Sequence, residues 1–350
     1  MKKIFLTFLV MLLSFCFASD LDFKIGQMII IGFDGDSIQS KEFKKTLKQI
    51  KNNQISGVIL FSKNIKSKND LIEMNNKILN SNKIIPFISI DNEGGYIQRY
   101  DFENYLPAKE ISLKGEKIAK NQYKQMAKLE HELKINLNFA PVVDLEINKN
   151  SIISKKQRSF SDDYQIVSKY ARIFIEEHNK EKIITSIKHF PGHGSVKGDT
   201  HKGFVDATNT FLDDELKPYY NLKDLDELNM VMVSHIYNFK IDEKYPASLS
   251  EKTIKDLLIN KIGFNGVVIS DDFDMGAIRD NYSLRDIIVN SINAGIDIVL
   301  FSNNLNYKDD KIAQKIHKII KDEIKKGNIK KEDIDNSFNK IIKLKNNLII

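Results

Sequence analysis

The segment KHFPGHGSVKGDTHK, residues 188–202, combines acidic, basic and glycine residues directly after an apolar run. Asp199 and His201 stand two positions apart in its glycine-rich part, so the carboxylate can lie beside the imidazole. A carboxylate partner fixes the tautomer of a histidine and raises its pKa, so that the ring can give up a proton near neutral pH. We therefore interpret Asp199 and His201 as an acid/base pair on a flexible loop.

Two other chemistries are conceivable for the same segment. His189, His193 and His201, together with Asp199, are donors that zinc accepts, but glycines separate them and nothing preorganises the set. A phosphate-binding loop is also disfavoured, because GHGSVKG lacks the GxxxxGK[ST] order. The sequence therefore predicts neither a metal nor a cofactor.

Asp271 is a second chemical candidate, because it ends the apolar run GVVIS. A carboxylate at this place could attack or stabilise an electrophilic carbon. The alternative is a helix cap, since Asp is favoured at helix N-termini, and the neighbouring Asp272 could take that role. Further charged side chains suit a hydroxyl-rich or carboxylate-bearing ligand. These are Asp91, Arg99, Arg158 and Lys188.

The elements that would position these residues are eight apolar runs, continuous rather than alternating, as is typical of parallel strands buried on both faces. They cover 28–33, 57–61, 86–92, 137–144, 184–190, 230–236, 266–272 and 296–302. Segments of helical periodicity lie between them, for example 69–80, 116–134, 164–180, 251–263 and 283–295. The pattern predicts an α/β fold, a single-domain (β/α)₈ TIM barrel with some irregular strands and a C-terminal helical tail. A doubly wound open sheet is the alternative.

In such a barrel the chemistry lies at the carboxyl ends of the strands. Polar side chains end five of the apolar runs, which predicts a ring of functional groups around one mouth. If these residues only capped strands or started helices, one or two of them would be explained, but not five. They are Asp91, Asp144, Lys188 with His189, Ser234 with His235, and Asp271 with Asp272.

Residues 1–18 are typical of a secretory signal peptide, with Lys2 and Lys3, an apolar run and small residues at Cys16 and Ala18. We expect cleavage after Ala18 and export to the periplasm or the medium. The run is too short to span a bilayer, and the bulky Phe15 disfavours the alternative of a lipoprotein anchored through Cys16. The mature domain, 19–350, would then hold neither a cysteine nor a membrane span.

Composition limits the possible partners of the mature domain. Hydrophobic residues make up 42% of the full chain, enough to fill a large core. The net charge of the full chain is +6, and loss of Lys2 and Lys3 with the signal peptide leaves +4. This charge is spread over stretches of mixed sign, which are typical of solvated helix faces and not of a nucleic-acid groove. We expect a monomer that binds no nucleic acid.

The motifs together resemble the β-N-acetylhexosaminidases of glycoside hydrolase family 3, of the bacterial cell-wall recycling type. The similarity runs in order along essentially the whole predicted mature chain, and KHFPGHG followed by DxH is its most specific part. The matching segments are IDNEGGYIQR (90–99), QRSF (157–160), KHFPGHGSVKGDTHK (188–202), GVVISDDFDMGAI (266–278) and NAGIDIVLFSNN (293–304).

The resemblance implies a retaining exo-β-N-acetylglucosaminidase that acts on GlcNAc-containing murein fragments in a TIM barrel without a cofactor. Asp271 would be the nucleophile that forms a covalent glycosyl-enzyme. His201 would be the general acid/base, with Asp199 as its partner. The sugar would be bound by Asp91, Arg99, Arg158, Lys188 and His189.

Two other functions stay open at this point. A β-N-acetylglucosaminide phosphorylase could use the same residues with phosphate in place of water, because a neutral histidine tolerates an anionic acceptor better than a carboxylate does. A catalytically silent sugar-binding protein of the periplasm is the other, although Asp199, His201 and Asp271 occurring together argue against it.

Overall fold

The computed structural model describes residues 20–200, 203–305 and 308–348, and its centre is a closed barrel of eight parallel strands in chain order. Closure comes from β1 pairing with β8, where Ile29 lies opposite Val299. The predicted TIM barrel is therefore confirmed, and the open sheet is wrong. The strands are β1 Ile29–Gly32, β2 Gly57–Leu60, β3 Phe87–Ile90, β4 Leu137–Asn138, β5 Ile184–Phe190, β6 Met230–Val233, β7 Val267–Asp272 and β8 Ile298–Phe301.

Strand β4 is much shorter than the predicted run 137–144. Pro141 has no N–H and so cannot continue a regular ladder. The chain nevertheless stays beside β5, because the Val143 N–H donates to the Lys188 carbonyl at 2.8 Å. Asp144 thereby still follows the end of a barrel segment.

Helices cover the barrel, and five of them, α2, α3, α6, α7 and α10, begin at a Ser or Asp side-chain cap. The Ser67 hydroxyl, for example, accepts the Asp70 N–H at 3.2 Å at the start of α3. The helices are α1 (20–27), α2 Lys41–Lys51, α3 Lys68–Leu79, α4 Ala108–Lys114, α5 Glu116–Glu132, α6 Ile152–Lys155, α7 Tyr164–Lys180, α8 Lys217–Leu222, α9 Gly276–Arg279, α10 Leu284–Ala294, α11 Ile312–Lys325 and α12 Lys331–Asn346.

Four of the predicted helices, 69–80, 116–134, 164–180 and 283–295, are confirmed as α3, α5, α7 and α10. The fifth, 251–263, is wound as a π-helix, Lys252–Ile262. Across the described ranges, no helix is both long enough and apolar enough to cross a membrane.

The helix α12 closes the barrel at the amino ends of the strands. Its Lys345 Nζ donates to the Gln27 Oε1 and the Ser56 carbonyl, both at 2.9 Å, and lies 4.5 Å from the centre of the Phe87 ring. Gln27 and Ser56 precede β1 and β2, so this contact lies at the opposite end from the polar strand ends. Burial lowers the pKa of Lys345 to about 7.

Substituting Lys345→Met should change how stability depends on pH. The pKa of lysine in an unfolded chain is about 10.4, whereas the pKa of Lys345 in the folded protein is about 7. Because the folded-state pKa is the lower one, unfolding takes up a proton between these values. The free energy of unfolding of the wild type should therefore rise with pH relative to the variant, by up to about 1.4 kcal/mol per pH unit.

Urea unfolding of both proteins at pH values of about 7 and 9 measures this difference. The exposed Lys343→Met, on the same helix, is the matched control and should follow the wild type. A Lys345→Met curve that runs parallel to the wild-type curve over this interval contradicts the assignment.

Candidate active site

A single cavity of about 250 Å³ collects the predicted site residues that the structure describes. It lies at the carboxyl ends of the strands, where catalytic sites of TIM barrels are found. His201, the remaining predicted residue, lies outside the described residues. The seven that line the cavity are Asp91, Arg99, Arg158, Lys188, His189, Asp199 and Asp271.

Lys188 is the centre of an ionic network on one wall of this cavity. Its Nζ lies 2.8 Å from the Asp91 Oδ1 and 2.7 Å from the Glu93 Oε1. Arg99 donates to the other oxygen of Asp91 at 2.9 Å. Arg158 donates to both oxygens of Glu93, at 2.8 and 2.7 Å. Three cations thus surround two carboxylates and hold their oxygens and N–H groups in fixed directions.

The charges of this network are stable across the neutral range. Burial alone would raise the pKa of Asp91, but the positive charges of Lys188 and Arg99 hold it well below its usual range. Burial would also raise the pKa of Glu93, but the positive charges of Arg158 and Lys188 lower it to about 2. Burial would lower the pKa of Lys188, but the two carboxylates raise it. Such a preorganised set can bind hydroxyl groups with little rearrangement.

Glu93 is not among the site residues predicted from the sequence, although it lies in the matching segment IDNEGGYIQR (90–99). It lies two residues beyond Asp91 and is almost fully buried. Gly94 and Gly95, with φ of 88° and 59°, turn the chain directly after it. An acidic residue next to a predicted strand end at the barrel mouth was the available signal.

His189 is oriented by Asp144, which follows β4. The Asp144 Oδ2 lies 2.6 Å from the His189 Nδ1, and its Oδ1 accepts the His189 N–H at 3.1 Å. Burial would raise the pKa of Asp144, but the charge of His189 and these hydrogen bonds lower it. With Nδ1–H donated to the carboxylate, the His189 Nε2 faces Arg158, whose Nη2 lies 3.4 Å away. Asp144 therefore supports the sugar-binding candidate without lining the cavity itself.

His193 lines the cavity beside His189, with ring centres 5.7 Å apart. Burial, together with the charge of His189, lowers the pKa of His193 to about 4, so its ring is neutral at neutral pH. Within 20–200, 203–305 and 308–348, no group of three His, Cys, Asp or Glu side chains could hold a metal ion. The Nδ1 of His189, a zinc donor in the alternative interpretation, is bonded to Asp144 instead.

Asp271 and Asp272 at the end of β7 have different surroundings. Asp271 lines the cavity, and its Oδ1 accepts the Asp272 N–H at 2.8 Å. The Asp272 Oδ1 accepts N–H groups from Asp274, at 3.0 Å, and from Ser302, at 2.9 Å. Asp272 therefore fixes the turn after β7 to the end of β8, while Asp271 lines the cavity.

The loop that carries Asp199 is fixed to the barrel by its backbone. Three N–H donors hold it: Asn148 to the Gly194 carbonyl (3.0 Å), Ala277 to the Thr200 carbonyl (3.1 Å) and Tyr237 to the Val205 carbonyl (2.9 Å). Gly198 and Gly203 lie between or beside these points with φ of 142° and 145°, which other residues rarely adopt. Asp199, half-buried, is thereby placed at the same cavity as Asp271.

The predicted contribution of β6 to the ring of functional groups is wrong. The Ser234 hydroxyl donates to the Phe190 carbonyl at 3.0 Å. His235 bonds with the Ser248 hydroxyl at 2.8 Å and with the Asp272 carbonyl at 2.9 Å. Both side chains are buried between elements, and β6 lines the cavity with Met232 instead.

Three isoleucines also line the cavity, although they are not among the site residues predicted from the sequence. Ile97 contributes from the turn after β3, and Ile152 and Ile153 contribute from α6. Such a surface beside an ionic wall suits a ligand with both apolar and hydroxyl-bearing faces.

A closed barrel with two acidic residues, Asp199 and Asp271, and an ionic network lining one cavity at its mouth is typical of TIM-barrel enzymes that act on polar substrates. Within that class the chain belongs to glycoside hydrolase family 3, because the family description "Glycosyl hydrolase family 3 N terminal domain" matches residues 20–344. The resemblance seen in the motifs is thus confirmed.

Similar proteins include Beta-hexosaminidase A of Pseudoalteromonas piscicida, which is 28% identical over 84% of this chain. The match spans only 54% of the length of that relative. Beta-hexosaminidase of Tolumonas auensis is 32% identical over 71% of this chain and 76% of its own length. Among solved structures, a glycoside hydrolase family 3 beta-N-acetylglucosaminidase from Paenibacillus superposes with a TM-score of 0.85 at 25% identity, covering 93% of this chain and 62% of that one.

Proposed function

We propose that the protein is a retaining exo-β-N-acetylglucosaminidase. The observation that carries this proposal is the single cavity in which Asp271 and Asp199 meet the ionic network around Lys188. The relatives named beta-hexosaminidase and the beta-N-acetylglucosaminidase structure support the choice of sugar.

The proposed reaction has two steps. In the first, an Asp271 oxygen attacks the anomeric carbon while the bond to the leaving oxygen breaks, and protonated His201 gives its proton to that oxygen. In the second, water attacks the same carbon, neutral His201 takes its proton, and the Asp271 carboxylate leaves. Two inversions at one carbon give retention.

A histidine in this role differs from the second carboxylate that retaining glycosidases usually use. Its ordinary pKa of about 6.5, against about 4.3 for Glu, allows proton donation near neutral pH. The imidazole itself adds no negative charge beside the Asp271 nucleophile, although its partner Asp199 lines the same cavity. Asp199 would hold the imidazole in the tautomer that the reaction needs.

The cavity size supports action at a chain end. Its volume of about 250 Å³ lies below the roughly 300–1,000 Å³ of pockets that enclose drug-sized ligands, so it suits one sugar ring better than several. We propose a terminal GlcNAc of a murein fragment as the bound unit. The ionic wall would bind its hydroxyls, and the monomer would need no second subunit for this.

Export is part of the proposal as well. It depends on residues 1–18, the signal peptide with Ala18 and Cys16, which lie outside the described residues. Fractionation of cells and N-terminal sequencing of the mature protein test it. A mature chain that begins at residue 19 supports the proposal, and a chain that keeps Met1 in the cytoplasm contradicts it.

The reaction type can be tested by comparing turnover of p-nitrophenyl-β-GlcNAc in phosphate and in a non-phosphate buffer. We expect equal rates and free GlcNAc as the sugar product in both, because the reaction uses water. GlcNAc-1-phosphate formed at a rate that rises with phosphate would instead establish the phosphorylase. If the protein binds GlcNAc but does not turn over the aryl substrate, the result would favour a sugar-binding protein without catalytic activity.

A further inference from the structure

A short turn, residues 192–195, links the sugar-binding end of β5 to the loop that carries Asp199. Two buried carboxylates bind its backbone. Asp144 accepts the His193 N–H at 2.8 Å, and the Glu215 Oε2 accepts the N–H groups of Gly194 and Ser195 at 2.9 and 3.2 Å. Successive N–H groups that converge in this way form an anion-binding concavity. Here the chain itself supplies both anions.

Glu215 also fills the space beside this turn. A Cβ on Gly192, whose φ is 144°, would lie 2.6 Å from the Glu215 Cβ. A Cβ on Gly194 would lie 1.8 Å from the Leu145 carbonyl oxygen. The turn is therefore packed between the backbone after β4 and the Glu215 side chain, and its position depends on both. This explains the two glycines on either side of His193.

The other oxygen of Glu215 fixes the carboxylate to its own element. Oε1 accepts the Leu212 N–H at 3.3 Å, at the start of the short 3-10 helix Asp213–Leu216. Glu215 is buried and does not line the cavity. It cannot act on a substrate directly, but it can act through His193 and the loop that follows.

We propose that Glu215 is a positioning residue of the active site, holding the turn 192–195 so that His193 and the Asp199 loop meet the substrate correctly. The proposal rests on the proposed function.

The surroundings of Glu215 also predict that its effect depends on pH. Burial and the charge of Asp144 raise the pKa of Glu215 to about 7, and the charge of Glu215 in turn helps to raise the pKa of Tyr219.

The test is Glu215→Gln, which keeps the shape but replaces an acceptor oxygen by an NH₂ group. We expect kcat/KM to fall by about 10- to 100-fold, mainly through kcat, because displaced catalytic groups cost activity on this scale. The exposed Asp213→Asn, from the same 3-10 helix, should keep wild-type kinetics. A purely structural role would lower thermal stability and leave kcat per folded molecule unchanged.

The pH profile gives a second readout. Below a pH of about 7, wild-type Glu215 is protonated and resembles glutamine, so the ratio of wild-type to variant kcat/KM should approach one. A variant that stays within twofold of the wild type at every pH overturns the proposal.

Hydrogen exchange separates this proposal from the proposed function. Peptides covering 192–195 should exchange faster in Glu215→Gln than in the wild type or in Asp213→Asn, whether or not the protein cleaves GlcNAc. If the wild type does not cleave the aryl substrate, the proposed function fails. The exchange rates still show whether Glu215 stabilises the turn 192–195. Equal exchange in all three proteins contradicts that hold.

Discussion

Asp271→Asn is expected to lower kcat on p-nitrophenyl-β-GlcNAc by about 10⁴-fold or more, on the scale seen when a nucleophile is removed. Asparagine keeps the side-chain shape and the oxygen that accepts the Asp272 N–H, so the turn after β7 should be preserved. What is lost is the negative oxygen that would form the bond to the anomeric carbon.

Two controls make this loss interpretable. The exposed Asp101→Asn should retain wild-type activity. Asp271→Asn should also bind GlcNAc within a few-fold of the wild type in calorimetry, because the ionic wall is untouched. A variant that keeps a tenth or more of the wild-type kcat would exclude Asp271 as the nucleophile.

Lys188→Met is expected to lower the free energy of unfolding by about 3 kcal/mol, because removing one partner of a buried ionic group leaves uncompensated charge. Lys188 is 2% exposed and contacts both Asp91 and Glu93. After the substitution each carboxylate keeps only one cation, Arg99 or Arg158. Binding of GlcNAc should weaken at the same time, since the two carboxylates lose the cation they share.

Urea unfolding measures the change in stability, and the exposed Lys197→Met, from the loop that follows, should remain within about 0.5 kcal/mol of the wild type. Adding Glu93→Gln to Lys188→Met should recover part of the loss, because it removes one of the uncompensated charges. A loss below about 1 kcal/mol in the single variant, or no recovery in the double variant, would contradict the network as described.

Much of the fold could be predicted because parallel strands buried on both faces have a simple signature. All eight runs contain the strands that the barrel uses, and the helices between them follow the apolar period. The deviations arise from local chemistry. Pro141 shortens β4, because its missing N–H cannot take part in the ladder. No periodicity distinguishes an α-helix from the π-helix Lys252–Ile262.

The sequence predicts which polar residues follow the ends of strands. It does not predict which way each side chain points, because that depends on neighbours in the folded protein. Asp91, Lys188 and Asp271 line the cavity as their positions suggested, whereas His235 follows a strand in the same way but turns to the Ser248 hydroxyl. The spacing of these residues in the sequence does not distinguish a side chain that lines the cavity from one that turns away from it.

Glu93 and Glu215 show the remaining limit. Both are carboxylates whose importance comes from partners distant in the chain, Arg158 for Glu93 and the amides of 194 and 195 for Glu215. Only the tertiary structure brings these groups together. The role of His201 stays a prediction, since that residue lies outside the part of the chain that the structure describes.

The central claim is that Asp271 becomes covalently bonded to the sugar. An activated 5-fluoro analogue of GlcNAc should form this glycosyl ester and break it slowly, so that it accumulates. Peptide mass spectrometry of the wild-type protein should then find one added sugar on the peptide that contains Asp271, and none in Asp271→Asn. Label on any other peptide, or unlabelled protein that still turns the analogue over, would contradict the account.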